Sequence, residues 1–225
     1  SHDQSGKPTI PLTLELTRQG NRILVISGPN AGGKSVALKT VGIIQYMIQS
    51  GFLIPVSEAS EVGVFKHLFL DIGDSQSLEN DLSTYSSHLT AMKHFVQEAE
   101  ENTLFLIDEF GTGTEPQFGG AIAESILSEL MGRKSFGVIT THYANLKEFA
   151  EKKAGIVNGA MKYDVAALAP LFELEVGKPG SSFAFEIARN IGLTKKVISN
   201  ARSLVGRDHV DYEKLLNQLE RERRD

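Results

Sequence analysis

Eight residues, Gly28-Pro29-Asn30-Ala31-Gly32-Gly33-Lys34-Ser35, fit the spacing G-x-x-x-x-G-K-[ST] without a mismatch. An apolar run, Ile23-Leu24-Val25-Ile26, precedes them, and a long helical pattern follows. That context gives the spacing a physical meaning. A strand ends, backbone N–H groups wrap an anion, and a helix begins with its positive dipole end at the same point. In such a loop Lys34 reaches the β- and γ-phosphates of a nucleotide, and the Ser35 hydroxyl sits on Mg²⁺. The candidate nucleotide-binding residues are therefore Gly28, Pro29, Asn30, Ala31, Gly32, Gly33, Lys34 and Ser35, with Val36 beside them. The competing reading is a plain glycine turn ahead of a helix. The Lys, the Ser and both flanking elements argue against it.

A phosphate loop speaks for binding, not for hydrolysis. A second buried-looking run, Thr103-Leu104-Phe105-Leu106-Ile107, closes on Asp108-Glu109. In a parallel sheet, ligands gather at the carboxyl ends of strands, so this pair is expected to face the phosphate loop. Asp108 suits Mg²⁺, and Glu109 suits a general base acting on the attacking water. The competing reading is an acidic helix start. A third run, Phe136-Gly137-Val138-Ile139, ends in Thr140-Thr141-His142. His142 could bond a γ-phosphate and sense it, or simply pack or cap; position alone leaves both open. Asp81 to His88 reads as a hydroxyl-rich loop before a helix, able to donate to an anion or to serve as ordinary capping chemistry. Gly111-Thr112-Gly113-Thr114 reads as a loop that moves or meets a partner subunit, or as a plain turn.

The elements that must position these residues follow from pattern. Buried strands alternating with helices predict an α/β fold with a mostly parallel sheet flanked by helices. The helices are expected at about Lys34–Gln49, His88–Ala99 and Phe118–Met131. Helix Lys34–Gln49 is apolar on most sides and is expected to be buried. Leu12, Leu14 and Leu16 alternate as an edge strand would, and Phe52–Pro55 and Val62–Leu70 hold short strand-like runs. Asp71–Tyr85 is rich in Gly, Ser, Asn and Asp and reads as loop. Ile156–Tyr163 and Leu171–Val176 read as further edge strands. Helical patterns near Phe183–Asn190 and Thr194–Val205, split by Gly192-Leu193, resemble a helix-turn-helix. Tyr212, Leu215, Leu216 and Leu219 form one apolar stripe among charges, either a coiled-coil start or a helix folding back.

Composition bounds the rest. Hydrophobic residues are 41% of 225, enough for a sizeable core, and no uncharged apolar stretch reaches membrane-spanning length. The absence of cysteine removes disulfides and thiolate metal sites and suits a reducing cytoplasm. The net charge of −5 does not advertise a nucleic-acid grip within these residues. No secretory pattern opens the chain. The first residue is not Met, which points to a piece of a longer protein, with Ser1-His2 as a cloning remnant.

Taken together, Gly28–Ser35, Ser83-Thr84-Tyr85, Asp108–Thr114 and Thr140-Thr141-His142-Tyr143 resemble the ATPase domain of the MutS family, over about Leu12 to Val205. Leu82–His88 and Val36–Gly42 look more like the second branch of that family than the mismatch-repair branch, which usually carries Phe-Met after Ser-Thr. The resemblance implies a phosphate-loop ATPase of ABC type using ATP and Mg²⁺. It implies a homodimer formed through the ATPase faces and the C-terminal helices, with Ser83 acting in trans on the partner's nucleotide and His142 as the switch residue. The domain boundaries it suggests are 1–180 for the ATPase, 181–206 for a helix-turn-helix dimerisation element and 207–225 for the start of a helical linker. It implies a cytoplasmic parent protein that binds DNA, drives clamp motions, and suppresses recombination or acts in repair, with stalled ribosomes as the branch's other target. Nuclease activity is not expected in these residues. Tyr143 and the segment around Ile10 are candidates for stacking on adenine. A dimerisation module gated by nucleotide with little turnover is the alternative. A transporter subunit is disfavoured, because the chain lacks a Leu-Ser-Gly-Gly-Gln signature.

Overall fold

The computed structural model describes residues 9–73 and 81–205, with backbone alone for 81–84. Six strands form one sheet: β1 (Ile23–Ser27), β2 (His67–Asp71), β3 (Thr103–Ile107), β4 (Phe136–Thr140), β5 (Ile156–Asp164) and β6 (Ala169–Val176), in the order β2-β3-β4-β1-β5-β6. The first five are mutually parallel; β6 returns antiparallel on β5. Among the described residues six α-helices connect and follow them: α1 (Lys34–Gln49), α2 (Asp81–Glu98), α3 (Pro116–Gly132), α4 (Ala144–Lys152), α5 (Ala184–Asn190) and α6 (Lys195–Val205).

The continuous apolar runs make sense because both faces of the sheet are covered. All five residues of β1, β3 and β4 are buried. Side chains alternate between faces. Ile23, Val25, Phe105, Ile107 and Ile139 pack with α2, α3 and α4. Leu24, Ile26, Leu104, Leu106 and Val138 pack with Ala37 and Leu38 of α1. Three helices thus serve one face. On the other face α1 shares the cover with an extended N-terminal segment.

Several expectations change. Leu12, Leu14 and Leu16 do pack on the second core, but their segment makes no strand. Alternation there serves burial of one side, without a sheet edge to pair with. Phe52–Pro55 forms no strand, and within Val62–Leu70 pairing begins at His67. Helix α1 is not buried on most sides: Val36, Ile43 and Tyr46 are 57%, 60% and 65% exposed, because one stripe is all that a flat sheet can cover. Helix α2 starts at Asp81, seven residues before the expected His88. Ser83, Thr84 and Tyr85 therefore open the helix and are not part of a loop ahead of it; short polar residues favour a first turn as well as a loop. Residues 74–80 of the expected loop and the stripe Tyr212–Leu219 lie outside the described residues.

Candidate functional site

Strands β3, β4 and β1 are neighbours and parallel, so their carboxyl ends share one edge of the sheet. Gly28–Ser35 leaves β1, Asp108-Glu109 leaves β3, and Thr141-His142 leaves β4. Gly28 and Gly33 stand at φ 137° and 89°, a region that L side chains avoid. A 3₁₀ turn, Asn30–Gly32, lies between them. Gly33 opens the sixteen-residue α1 without a side-chain cap, so the first-turn N–H groups are free to meet an anion.

Lys34 is 3% exposed. Its Nζ donates to Gly28 O and Pro29 O at 3.0 Å each, and to Asn30 Oδ1 at 3.5 Å. Burial lowers its pKa to about 8, against the opposing pull of Glu109 and Asp108. The loop thus curls around its own ammonium group, with both carboxylates close enough to be felt.

A chain of hydrogen bonds links the three strand ends. Ser35 Oγ donates to Asp108 Oδ1 at 3.1 Å, and Thr140 Oγ1 donates to the same oxygen at 2.5 Å. The N–H of Glu109 donates to Thr140 Oγ1 at 2.8 Å. Glu109 itself has φ 47°, an uncommon conformation for a residue with a side chain. Thr112 holds that turn, its N–H and Oγ1 both donating to Glu109 O. The Glu109 carboxylate accepts no hydrogen bond from any described residue.

Ser35 and Asp108 bring together two hard oxygen donors. No group of three or more His, Cys, Asp or Glu among the described residues could hold a metal by itself. A cation between Ser35 and Asp108 would draw its other ligands from water and phosphate, which is the habit of Mg²⁺. The donor set fits that ion.

His142 is exposed at its surface, yet it shares the electrostatics of the loop. Burial of part of the ring, then the charges of Lys34 and Lys147, lower its pKa to about 4, with Asp108 opposing. The imidazole is therefore neutral at pH 7, with one nitrogen a donor and the other an acceptor.

MutS domain V matches residues 24–207. The chain belongs to the MutS family. It stands with the second branch: it is 44% identical over 214 residues to the Endonuclease MutS2 of Finegoldia magna, covering 95% of this chain and 27% of that protein. The Endonuclease MutS2 of Thermomicrobium roseum is 43% identical over 215 residues (96% and 27%). That of Carboxydothermus hydrogenoformans is 41% identical over 223 (99% and 29%). The chain thus spans a little over a quarter of the length of these curated relatives.

In this MutS domain V a cleft of about 230 Å³ adjoins the Gly28–Ser35 loop, lined by Ile10, Leu12, Val36, Thr40, Met161 and Phe172, among others. Tyr143 does not line this cleft; its Oη donates to Gly111 O at 3.0 Å and its ring packs on Gly111. Phe172 was missed, because it reads as one more residue of an edge strand. Its φ is 56°, and its ring lies so close that a Cβ on Gly33 would approach it to 2.7 Å. Thr140 and Lys147 were missed too. The one signal for Thr140 is a hydroxyl at the last position of a fully apolar strand. Lys147 is buried and donates to Gly180 O at 3.3 Å. The Ser83 side chain lies outside what is described.

Proposed function

We propose that this domain binds ATP and hydrolyses it with Mg²⁺. One observation carries the reading: Ser35, Asp108, Thr140 and Glu109 are joined by hydrogen bonds beside the buried ammonium of Lys34. In this reading Lys34 Nζ exchanges loop carbonyls for phosphate oxygens, and the N–H groups from Gly28 to Val36 hold the anion. Ser35 and Asp108 would hold Mg²⁺, which would supply neutralisation of phosphate charge. Glu109 accepts a proton from water. The water oxygen bonds to the γ-phosphorus as its bond to the bridging oxygen breaks, and ADP leaves. Neutral His142 hydrogen-bonds the γ-phosphate and reports its presence. The cleft between Ile10 and Phe172 takes the base.

The domain works as a homodimer through its ATPase faces and C-terminal helices, with Ser83 reaching the partner's nucleotide. Exposed Ile191, Leu193, Val197 and Leu204 around α5 and α6 support that surface. The same surface favours the second reading, a dimerisation module gated by ATP with little turnover. The longer parent protein would couple these motions to DNA, suppressing recombination or serving repair, or to stalled ribosomes, in the cytoplasm. No described helix is long and apolar enough to cross a membrane. The nuclease step in the relatives' name is assigned to parts of the parent beyond these residues.

Lys34→Ala tests the core of the reading. Loss of charge-assisted contacts worth roughly 3 kcal/mol weakens ATP binding about a hundredfold by calorimetry. Unchanged affinity contradicts it.

A further inference from the structure

Beside the phosphate-facing groups lies a second polar cluster that none of the roles above uses. Asp71 closes β2, and its backbone O accepts from the N–H of Asp108 at 2.9 Å. Its Oδ2 lies 2.7 Å from Nδ1 of His88, on α2. Asp71, Tyr85, His88 and Glu109 line one small cavity, closed by apolar residues such as Met92 and Ile126. Its volume is about 20 Å³, room for about one water.

Three groups at this cavity lack partners among the described residues. Tyr85 Oη is buried without a hydrogen bond. With Nδ1 committed to Asp71, Nε2 of His88 bonds no described residue. The Glu109 carboxylate accepts none either. A buried hydroxyl left unsatisfied is costly, and a buried water usually meets about two to four polar groups. The cavity has the size of the water and supplies the groups.

We propose that this cavity is a hydration site in which one water, held by Tyr85 Oη and His88 Nε2, donates to the Glu109 carboxylate and fixes its orientation. His88 and Tyr85 are then positioning residues, and Asp71 sets the ring. The hydrogen bond that His88 Nδ1 donates to Asp71, against burial, and the charges of Asp71 and Glu109 raise the His88 pKa, favouring the ring form in which Nε2 is a donor. The site explains why two elements outside the phosphate loop, β2 and α2, approach the carboxylate. It rests on the reading of Glu109 as base.

The test compares His88→Ala and Tyr85→Phe with the unaltered chain, measuring phosphate release, affinity for a nonhydrolysable ATP analogue and Tm. His88→Ala is expected to lower kcat about tenfold, a part of what a general base supplies. KM and analogue affinity stay within about twofold, because uniform binding is untouched. Added imidazole restores most of the lost rate. Tyr85→Phe lowers kcat about threefold without rescue, since it removes one of the water's partners. Unchanged kcat in both variants overturns the proposal. So does a fall of kcat and affinity together that imidazole leaves unrepaired, which marks a structural role. Should His88→Ala not fold, Tyr85→Phe decides alone, because it removes a single atom. Full turnover in Glu109→Gln overturns the base reading instead. Slow Glu109→Gln with normal His88→Ala and Tyr85→Phe overturns this proposal and leaves that reading standing.

Discussion

A threonine hydroxyl stands where the strand ends meet. Thr140 Oγ1 donates to the Asp108 carboxylate and accepts from the backbone N–H of Glu109, so one side chain ties the first carboxylate to the backbone of the second. Sequence pattern alone points to the acidic pair, because Asp-Glu after an apolar run is conspicuous. It does not point to Thr140, because threonine is an ordinary strand residue. Nor does it mark Asp71 and His88 as a pair, since their contact exists only once β2 and α2 are placed. His142 carries a prediction of its own. Its pKa is near 4 in the fold and about 6.5 when the chain is open. As pH falls below about 6.5, the unfolded chain takes up the proton first, so stability falls until about pH 4 and then levels. His142→Gln removes that loss. In thermal melts from pH 7 downward, the Tm of the unaltered chain is expected to drop relative to that of His142→Gln. A gap independent of pH would show that neither burial nor the charges of Lys34 and Lys147 lower the ring's pKa.

At the scale of elements, the site depends on a strap as well as on the sheet. After β6 the chain returns to the end of β1, where the Gly28–Ser35 loop begins. The N–H of Gly180 donates to Ser27 Oγ at 2.8 Å, and Lys147 Nζ holds Gly180 O at 3.3 Å. A Cβ on Gly180 would come within 2.6 Å of Ser27 O, which is backbone and cannot yield. The strap therefore ties α5 and α6 to the residue just ahead of Gly28. Gly180→Ala is expected to cost about 1–3 kcal/mol as an overpacked contact. That lowers Tm by about 2–4 °C per kcal/mol and weakens ATP binding with it. Loss of Tm with intact binding would separate the strap from the loop. The strands β1, β3 and β4 and the start of α1 were legible, because burial on both faces leaves an uninterrupted apolar run. The segment Leu12–Leu16 misled for a physical reason. Alternation records which side is buried, not whether a neighbour supplies hydrogen bonds. Helix α2 began earlier than its apolar spacing suggested, because the first turn carries polar residues that suit a loop equally well.

Over the whole molecule, a net charge of −5 and exposed apolar residues in the α5–α6 turn and on α6 fit a domain that meets another copy of itself better than one that grips DNA alone. ATP held between two copies would favour the dimer by its differential affinity. Hydrolysis would then release it, and on the proposed reading Glu109 would set that release. Substituting Glu109 by Gln keeps the side chain's size and removes its ability to take a proton. The direct test is phosphate release by Glu109→Gln with Mg²⁺ and ATP, beside equilibrium ATP binding and sedimentation of the same sample. The expected result is ATP affinity near that of the unaltered chain, turnover slower by about 10²–10⁴-fold, and accumulation of an ATP-bound dimer. Turnover at the unaltered rate would contradict it.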